Sequence, residues 1–247
     1  MPVRGVSLLD DLDLQQLAAY LHLTPDQVQK MVERNRIPGR RVGGEWRFSE
    51  GEIHHWLEER IGIADPSQLD QVEAVLQRAA THERWPRIAE LLPQASIAIP
   101  LPAKTRGSVI REMCQLATQS GMLWDPVLMA QAVQERESLH PTALESGVAL
   151  LHPRRPQTSI LADSVLALGI RAAPIPFSDA GQMTDIFFLI CSYDDRSHLR
   201  ILARLSRIIA RSEVVDRIRS AASPGEVIEL LGEVEEEIYG PPPVTEE

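Results

Sequence analysis

The sequence predicts a mixed α+β chain, and three observations lead there. Apolar residues at helical spacing alternate with short β-branched and aromatic runs, which mixes helices with strands. Proline and glycine punctuate the boundaries between them. No stretch of about 18 apolar residues occurs, so no membrane span is expected. At 247 residues and 44% hydrophobic content, the chain suffices for one large domain or two modest ones. The two cysteines, Cys114 and Cys191, lie in apolar runs whose spacing fits no metal motif, and they read as core packing. The start, Met1-Pro2-Val3-Arg4-Gly5 followed by Asp10-Asp11, lacks the apolar region of a signal peptide, so a cytoplasmic location is expected. No cofactor and no metal are expected.

The first elements are short. Leu14, Leu17, Ala18 and Leu21 share one face of a helix over 15–21. Thr24-Pro25-Asp26 supplies a cap and a first-turn proline for a second helix over 25–34, with Val28, Met31 and Val32 inward. Two short helices about a tight turn make a helix-turn-helix, ended by Ile37-Pro38-Gly39. Arg40-Arg41-Val42, Gly43-Gly44 and Glu45-Trp46-Arg47-Phe48 predict a β-hairpin. Ser49 with Glu52 caps a helix over 50–59.

The formal charge of −10 weighs against nonspecific nucleic-acid binding by the whole chain. Locally the balance reverses: Lys30, Arg34, Arg36, Arg40, Arg41 and Arg47 face only Glu33 and Glu45. Residues 10–60 resemble the winged helix-turn-helix of the excisionase and MerR-like type, most tellingly across Ile37-Pro38-Gly39-Arg40-Arg41-Val42-Gly43-Gly44-Glu45-Trp46-Arg47-Phe48. The resemblance implies duplex DNA as a partner, with those six cations as the contacts. The bland reading of Arg40 and Arg41 is a charged hairpin edge that blocks aggregation. A homodimer is the form in which many such modules read two half-sites, but the sequence does not fix the oligomeric state.

Asp65-Pro66-Ser67 marks a boundary, and Leu69, Val72, Val75 and Leu76 follow at helical spacing. Trp85-Pro86 interrupts, and one helical turn over 88–92 precedes Pro93. From Ser96 the pattern changes to a strand over 96–99, a helix over 104–119 ended by Gly121, and a helix capped by Asp125-Pro126 running to about 138. Strands are predicted over 147–151, 164–170 and 184–193, and helices over 196–210, 214–221 and from Ser223-Pro224-Gly225-Glu226 onward. The expected division is a DNA-binding domain over 1–62, a partly helical connector over 63–92, a second domain over 93–240, and a disordered tail over 241–247 beginning Pro241-Pro242-Pro243.

The chemistry lies in the second half. Val148-Ala149-Leu150-Leu151 is a strand that delivers His152 to a loop holding Arg154 and Arg155. Imidazole beside fixed cations suits phosphoryl transfer through nitrogen, because histidine is partly neutral at physiological pH and the cations hold phosphate oxygens. Residues 91–239 resemble the enzyme IIA domain of the fructose, mannitol and nitrogen-regulatory branch of the bacterial phosphotransferase system. The likeness runs through Asp125-Pro126, Glu135-Arg136-Glu137, Gly147-Val148-Ala149-Leu150-Leu151-His152, Asp185-Ile186-Phe187-Phe188-Leu189-Ile190 and Ser197-His198-Leu199. It implies an α/β sandwich with a mixed sheet flanked by helices. It also implies His152 as acceptor of phosphate from the carrier HPr, with Arg136 and His198 beside it.

Two departures stand out. Pro153 replaces the glycine that usually follows the histidine and removes an N–H donor, and Glu145, in a segment that has two glycines fewer than the family pattern, brings a negative charge near where phosphate would sit. Read without the resemblance, His152 is a strand-end surface residue, Arg136 a helix-end ion-pair partner and His198 a solvated helix start. His22, His54, His55, His82 and His140 read as surface residues. Three functions remain open: a regulator whose DNA-binding module is tethered to a phosphate receiver, a phosphoryl relay subunit for sugar uptake, and a binding module that keeps the fold without the transfer.

Overall fold

The computed structural model describes residues 11–21, 23–49, 51–53, 56–57, 85–178 and 181–240. Backbone contacts divide the chain into two compact units, Met1–Glu83 and Arg84–Glu247. The expected helical spacing from Leu69 to Leu76, the tail over 241–247, and His22, His54, His55 and His82 lie outside the described residues.

In the first unit, Asp13 caps α1 (Leu14–Tyr20) and Thr24 caps α2 (Pro25–Glu33), each through a reciprocal box with a glutamine three residues on. Helix α2 ends earlier than Pro38 demands. Asn35 adopts φ 52°, Arg36 N–H donates to Met31 O at 2.8 Å and Asn35 N–H to Val32 O at 3.0 Å. That is a Schellman cap with asparagine in the left-handed position. Strands β2 (Arg40–Val42) and β3 (Glu45–Ser49) pair about Gly43 and Gly44, both at positive φ, as a two-residue hairpin turn of this kind requires. A third strand, β1 (Asp11–Leu12), pairs with the far edge of β3 and was not legible in the sequence. Leu17, Val28, Val32, Ile37, Phe48, Ile53 and Leu57 form the core. Backbone over 51–53 and 56–57 is helical, within the helix expected after Ser49.

The second unit opens with α3 (Ile88–Leu91) and contains a four-stranded mixed sheet in the order β4-β6-β7-β5. Its strands are β4 (Ile97–Ala98), β5 (Val148–Leu151), β6 (Val165–Pro176) and β7 (Met183–Cys191). The outer pairs β4·β6 and β5·β7 are parallel and the central pair β6·β7 is antiparallel. Strands β5 and β7 are buried on both faces almost throughout, which is why they read as continuous apolar runs without alternation. Alternate strand residues such as Ala149, Leu151, Phe187 and Leu189 join one core with α4 (Arg106–Ala117) and α5 (Pro126–Leu139). The intervening residues, Leu150 and Phe188 among them, point to the other side, where α6 (Asp195–Ile209) packs on β7. Helices α7 (Ser212–Ser220) and α8 (Pro224–Tyr239) complete that layer.

Strand β6 runs six residues beyond its expected end at Ile170. Arg171 to Pro174 interrupt the register with β7, and the pairing resumes at Ile175↔Thr184. Those interrupting residues are largely exposed and carry no alternation, so nothing in the sequence marks them as strand. Residues 85–92 pack on the helical layer: the Arg200 guanidinium lies 3.9 Å from the Trp85 ring centroid, and Ala89 N–H donates to Glu235 at 3.3 Å.

Candidate functional site

Parallel pairing places the carboxyl ends of β5 and β7 side by side, the usual place for a site in an α/β sheet. His152 follows β5 directly and continues its alternation, so it falls on the Leu150 side, the side of α6. His198 occupies the first turn of α6, whose N-cap is Asp194. The two rings meet at a centroid distance of 5.0 Å, tilted by 51°. Each residue is 3% exposed, far from the solvated reading that a strand end or a helix start invites.

The tautomer of His152 follows from its partner. Nδ1 lies 2.8 Å from Leu150 O, and a carbonyl oxygen only accepts, so Nδ1 carries the proton. In the neutral ring the lone pair is then on Nε2. His198 Nδ1 lies 3.2 Å from Ser192 Oγ, a buried hydroxyl on the residue following β7.

Arg136 is held differently. It sits in the last turn of α5, 7% exposed, and its Nη1 donates to His140 O at 2.7 Å. Its Nε is buried without a hydrogen-bond partner, and among the described residues the guanidinium bonds to neither imidazole. The structure therefore brings His152 and His198 together and leaves Arg136 closing its own helix end. His140 is exposed, as its sequence position suggested. Arg154 and Arg155 are exposed, and Pro153 is buried.

Glu145 is exposed in the turn before β5, while His152 lies beyond the strand's other end. Gly147 and His152 are separated by about 16 Å at the usual rise per residue. The negative charge that the sequence placed near the histidine is thus at the opposite end of β5. At that end Arg219 grips Asp185 through two nitrogens at 2.6 and 3.1 Å and donates to Ser146 O at 3.0 Å.

Two residues were given no individual role by the sequence reading. Ser192 is one; its only sequence signal is a hydroxyl at the end of an apolar strand, six residues before a histidine. Glu137 is the other. It is 1% exposed, accepts from the Thr142 backbone N–H and hydroxyl, and pairs with Arg106 at 3.3 Å. Burial raises its carboxyl above the usual range, against the lowering effects of Thr142 and Arg106. Thr142 in turn accepts from Leu150 N–H at 3.4 Å, so Glu137 anchors the segment that flanks β5 next to the histidine.

In the first unit the six predicted cations divide into two sets. Lys30, Arg34, Arg36 and Arg41 are exposed, with Arg41 lying 4.8 Å over the Trp46 ring. Arg40 instead pairs with the nearly buried Asp11 carboxylate of β1, which raises its already high pKa, and Arg47 pairs with Glu45 at 2.9 Å. The basic strand is therefore partly neutralised by β1. Among the described residues no group of histidine, cysteine and carboxylate side chains is placed to hold a metal ion, and no helix is long and apolar enough to cross a membrane.

Comparison with known proteins agrees with this architecture. The family described as "Phosphoenolpyruvate-dependent sugar phosphotransferase system, EIIA 2" matches residues 90–234, and a helix-turn-helix domain family matches residues 12–61. The fructose-specific EIIABC component of Bacillus subtilis is 27% identical over 150 residues, covering 60% of this chain and 23% of that protein. The nitrogen regulatory protein of Pseudomonas aeruginosa is 23% identical over 152 residues, covering 60% of this chain and 97% of that one. The chain thus spans about a quarter of the length of the multidomain sugar-specific relative. Among solved structures, IIA mannitol of Escherichia coli superposes with a TM-score of 0.51 at 21% identity, covering 56% of this chain and 97% of that one. The nitrogen regulatory protein IIA-Ntr of Neisseria meningitidis does so with 0.52 at 20%, covering 58% and 98%; both share the fold. With a family model matching more than half of its residues, the chain belongs to the EIIA type 2 family of the phosphotransferase system and carries a helix-turn-helix domain at its amino end.

Proposed function

We propose that His152 accepts a phosphoryl group from the phosphocarrier HPr, and that the first unit binds duplex DNA, so that phosphate on one unit regulates transcription through the other. The observation that carries the phosphate half is the facing pair of imidazoles, with Leu150 O holding the His152 proton on Nδ1. The Nε2 lone pair attacks phosphorus, the N–P bond to the carrier's histidine breaks, and the carrier ring leaves as neutral imidazole when its other nitrogen holds a proton. The positive charge formed on the His152 ring is shared with Leu150 O through Nδ1–H, so no proton need move. In this reading Arg136, with its buried Nε donor, and His198 steady the phosphoryl oxygens.

The regulatory half is supported by the helix-turn-helix match and by the nitrogen regulatory relative, which this chain covers almost end to end. A relay subunit for sugar uptake is the reading that the fructose-specific relative supports. A binding module without transfer is favoured by one feature, the buried Pro153, which offers no N–H to phosphate where a glycine would. Incubation with phosphorylated, radiolabelled HPr separates these readings. Acid-labile, base-stable label is expected on the wild type and none on His152→Ala; His198→Ala and Arg136→Ala should slow transfer by about tenfold or more. Undiminished label on His152→Ala overturns the assignment, and an unlabelled wild type leaves the non-transferring module.

A further inference from the structure

We propose that Trp85, in the segment that leads into the second unit, is a positioning residue of the histidine site and acts through Arg200 on α6. From His198 to Ala203 every residue of α6 is buried, so the helix is enclosed on all sides where it carries the site. At about 100° per residue, Arg200 lies roughly opposite His198 around the helix axis. His198 meets His152 on the sheet side, and on the other side the Arg200 guanidinium lies 3.9 Å from the Trp85 ring centroid. One turn on, Arg204 continues that outer face: its Nη1 donates to Pro86 O at 3.3 Å and pairs with Glu235 of α8 at 3.5 Å. Ala89 N–H donates to the same carboxylate at 3.3 Å, and Arg87 Nη2 donates to Gly240 O at 2.6 Å. Residues 85–89 thus form a strap, fastened to α6 and α8, that holds the site helix down on the sheet.

Trp85 acts through the face of its ring. Its Nε1 is buried without a hydrogen-bond partner among the described residues, which costs stability rather than adding to it. Indole is the best aromatic partner for a cation, and the attraction grows when the cation is desolvated, as Arg200 is at 8% exposure. Without the ring, Arg200 keeps a charge away from water and loses the surface it lies on. The guanidinium is then drawn outward, α6 tips with it, and His198 moves against His152. Trp85, Pro86, Arg87 and Ala89 all precede residue 90, where the family match starts. The stretch of chain between the two domains therefore supplies part of the support of the site.

The role in transfer rests on the phosphate reading above; the placement of the rings does not, and the test keeps them apart. In the full chain labelled with nitrogen-15 on histidine, Trp85→Ala should shift the ring signals of both His152 and His198. Arg200→Lys, which keeps the charge and removes the planar stack, should shift them the same way. Trp85→Phe keeps an aromatic face for Arg200 and drops the orphaned N–H, so it should hold the wild-type signals. Arg217→Ala, which unpairs Glu233 in the same helical layer but outside the strap, should also leave them in place. With phospho-HPr, kcat of transfer should fall about 3- to 10-fold in Trp85→Ala at unchanged KM, and recover in Trp85→Phe. Histidine signals unmoved by both Trp85→Ala and Arg200→Lys overturn the proposal, as does equal movement in Arg217→Ala. Signals that move as expected in a chain that takes no phosphate from HPr leave the strap intact and sink the phosphate reading instead.

Discussion

Glu137 shows how much a single side chain can organise without touching the chemistry. Its carboxylate ties Arg106 of α4 to Thr142, and Thr142 to Leu150, whose carbonyl orients His152. Burial lifts its pKa, and burial likewise lifts that of Glu235. A carboxyl whose folded pKa is raised stabilises the fold fully below its unfolded value, and that contribution is lost as pH rises through the folded pKa. Glu137→Gln keeps an acceptor for Thr142 and abolishes the charge. The melting temperature of the variant relative to wild type should therefore climb as pH is raised from about 4.5 toward neutrality. Thermal melts across that range check it, and a difference that is flat or declining would show that Glu137 is not the group whose ionisation costs stability. Cys114 and Cys191 fit the same logic with no functional charge: burial pushes Cys114 up to about 12 and lifts Cys191 well above the ordinary thiol range, so both remain inert thiols in the core.

At the scale of elements, the hairpin of the first unit divides its cations by strand pairing. Arg40 reaches across to Asp11 because β1 lines the other edge of β3, whereas Arg41 points the opposite way, over Trp46. DNA affinity should therefore depend on Arg41, Lys30, Arg34 and Arg36 through counterion release. Each alanine substitution that removes one cation from a DNA phosphate should reduce the salt slope of log K by about 0.9. Arg40→Ala should leave that slope nearly unchanged and instead lower the melting temperature. Titrations of a fixed duplex at several salt concentrations decide this, and a slope that falls as much for Arg40 as for Arg41 would place both in the interface. The cap of α2 was legible because Thr24-Pro25-Asp26 is a local pattern, whereas β1 was not, since two residues of strand have no period to detect.

At the scale of the whole molecule, the question is whether phosphate on one unit alters the other. A phosphoryl group adds roughly −1.5 to −2 charge by analogy with other phospho-residues, on a chain whose formal net charge is already −10. If it changes the DNA affinity of the full chain, the change should fall in the usual range of allosteric coupling, about 1–3 kcal/mol or roughly 5- to 150-fold. The measurement compares full-length protein with and without enzymatic phosphorylation, at one salt concentration, alongside the isolated first unit. Equal affinities for all three would establish two independent modules on one chain and remove the mechanism from the regulatory reading.

The sequence by itself determined the mixed fold class, most of the order of elements and several helix caps, because each rests on local periodicity or on a motif of a few contiguous residues. The tertiary structure decided what those residues do for one another. Residues 46 apart in the chain, His152 and His198, meet only because β5 and β7 run parallel and end together. Ser192 gains its partner only when α6 folds back over the end of β7, and Glu137 becomes an anchor only when helix, loop and strand close around its carboxylate. Glu145, near His152 in the sequence, is carried to the far end of an extended strand. Hydrogen bonding and burial act through space, and the sequence carries no direct record of distance between segments that the sheet alone brings side by side.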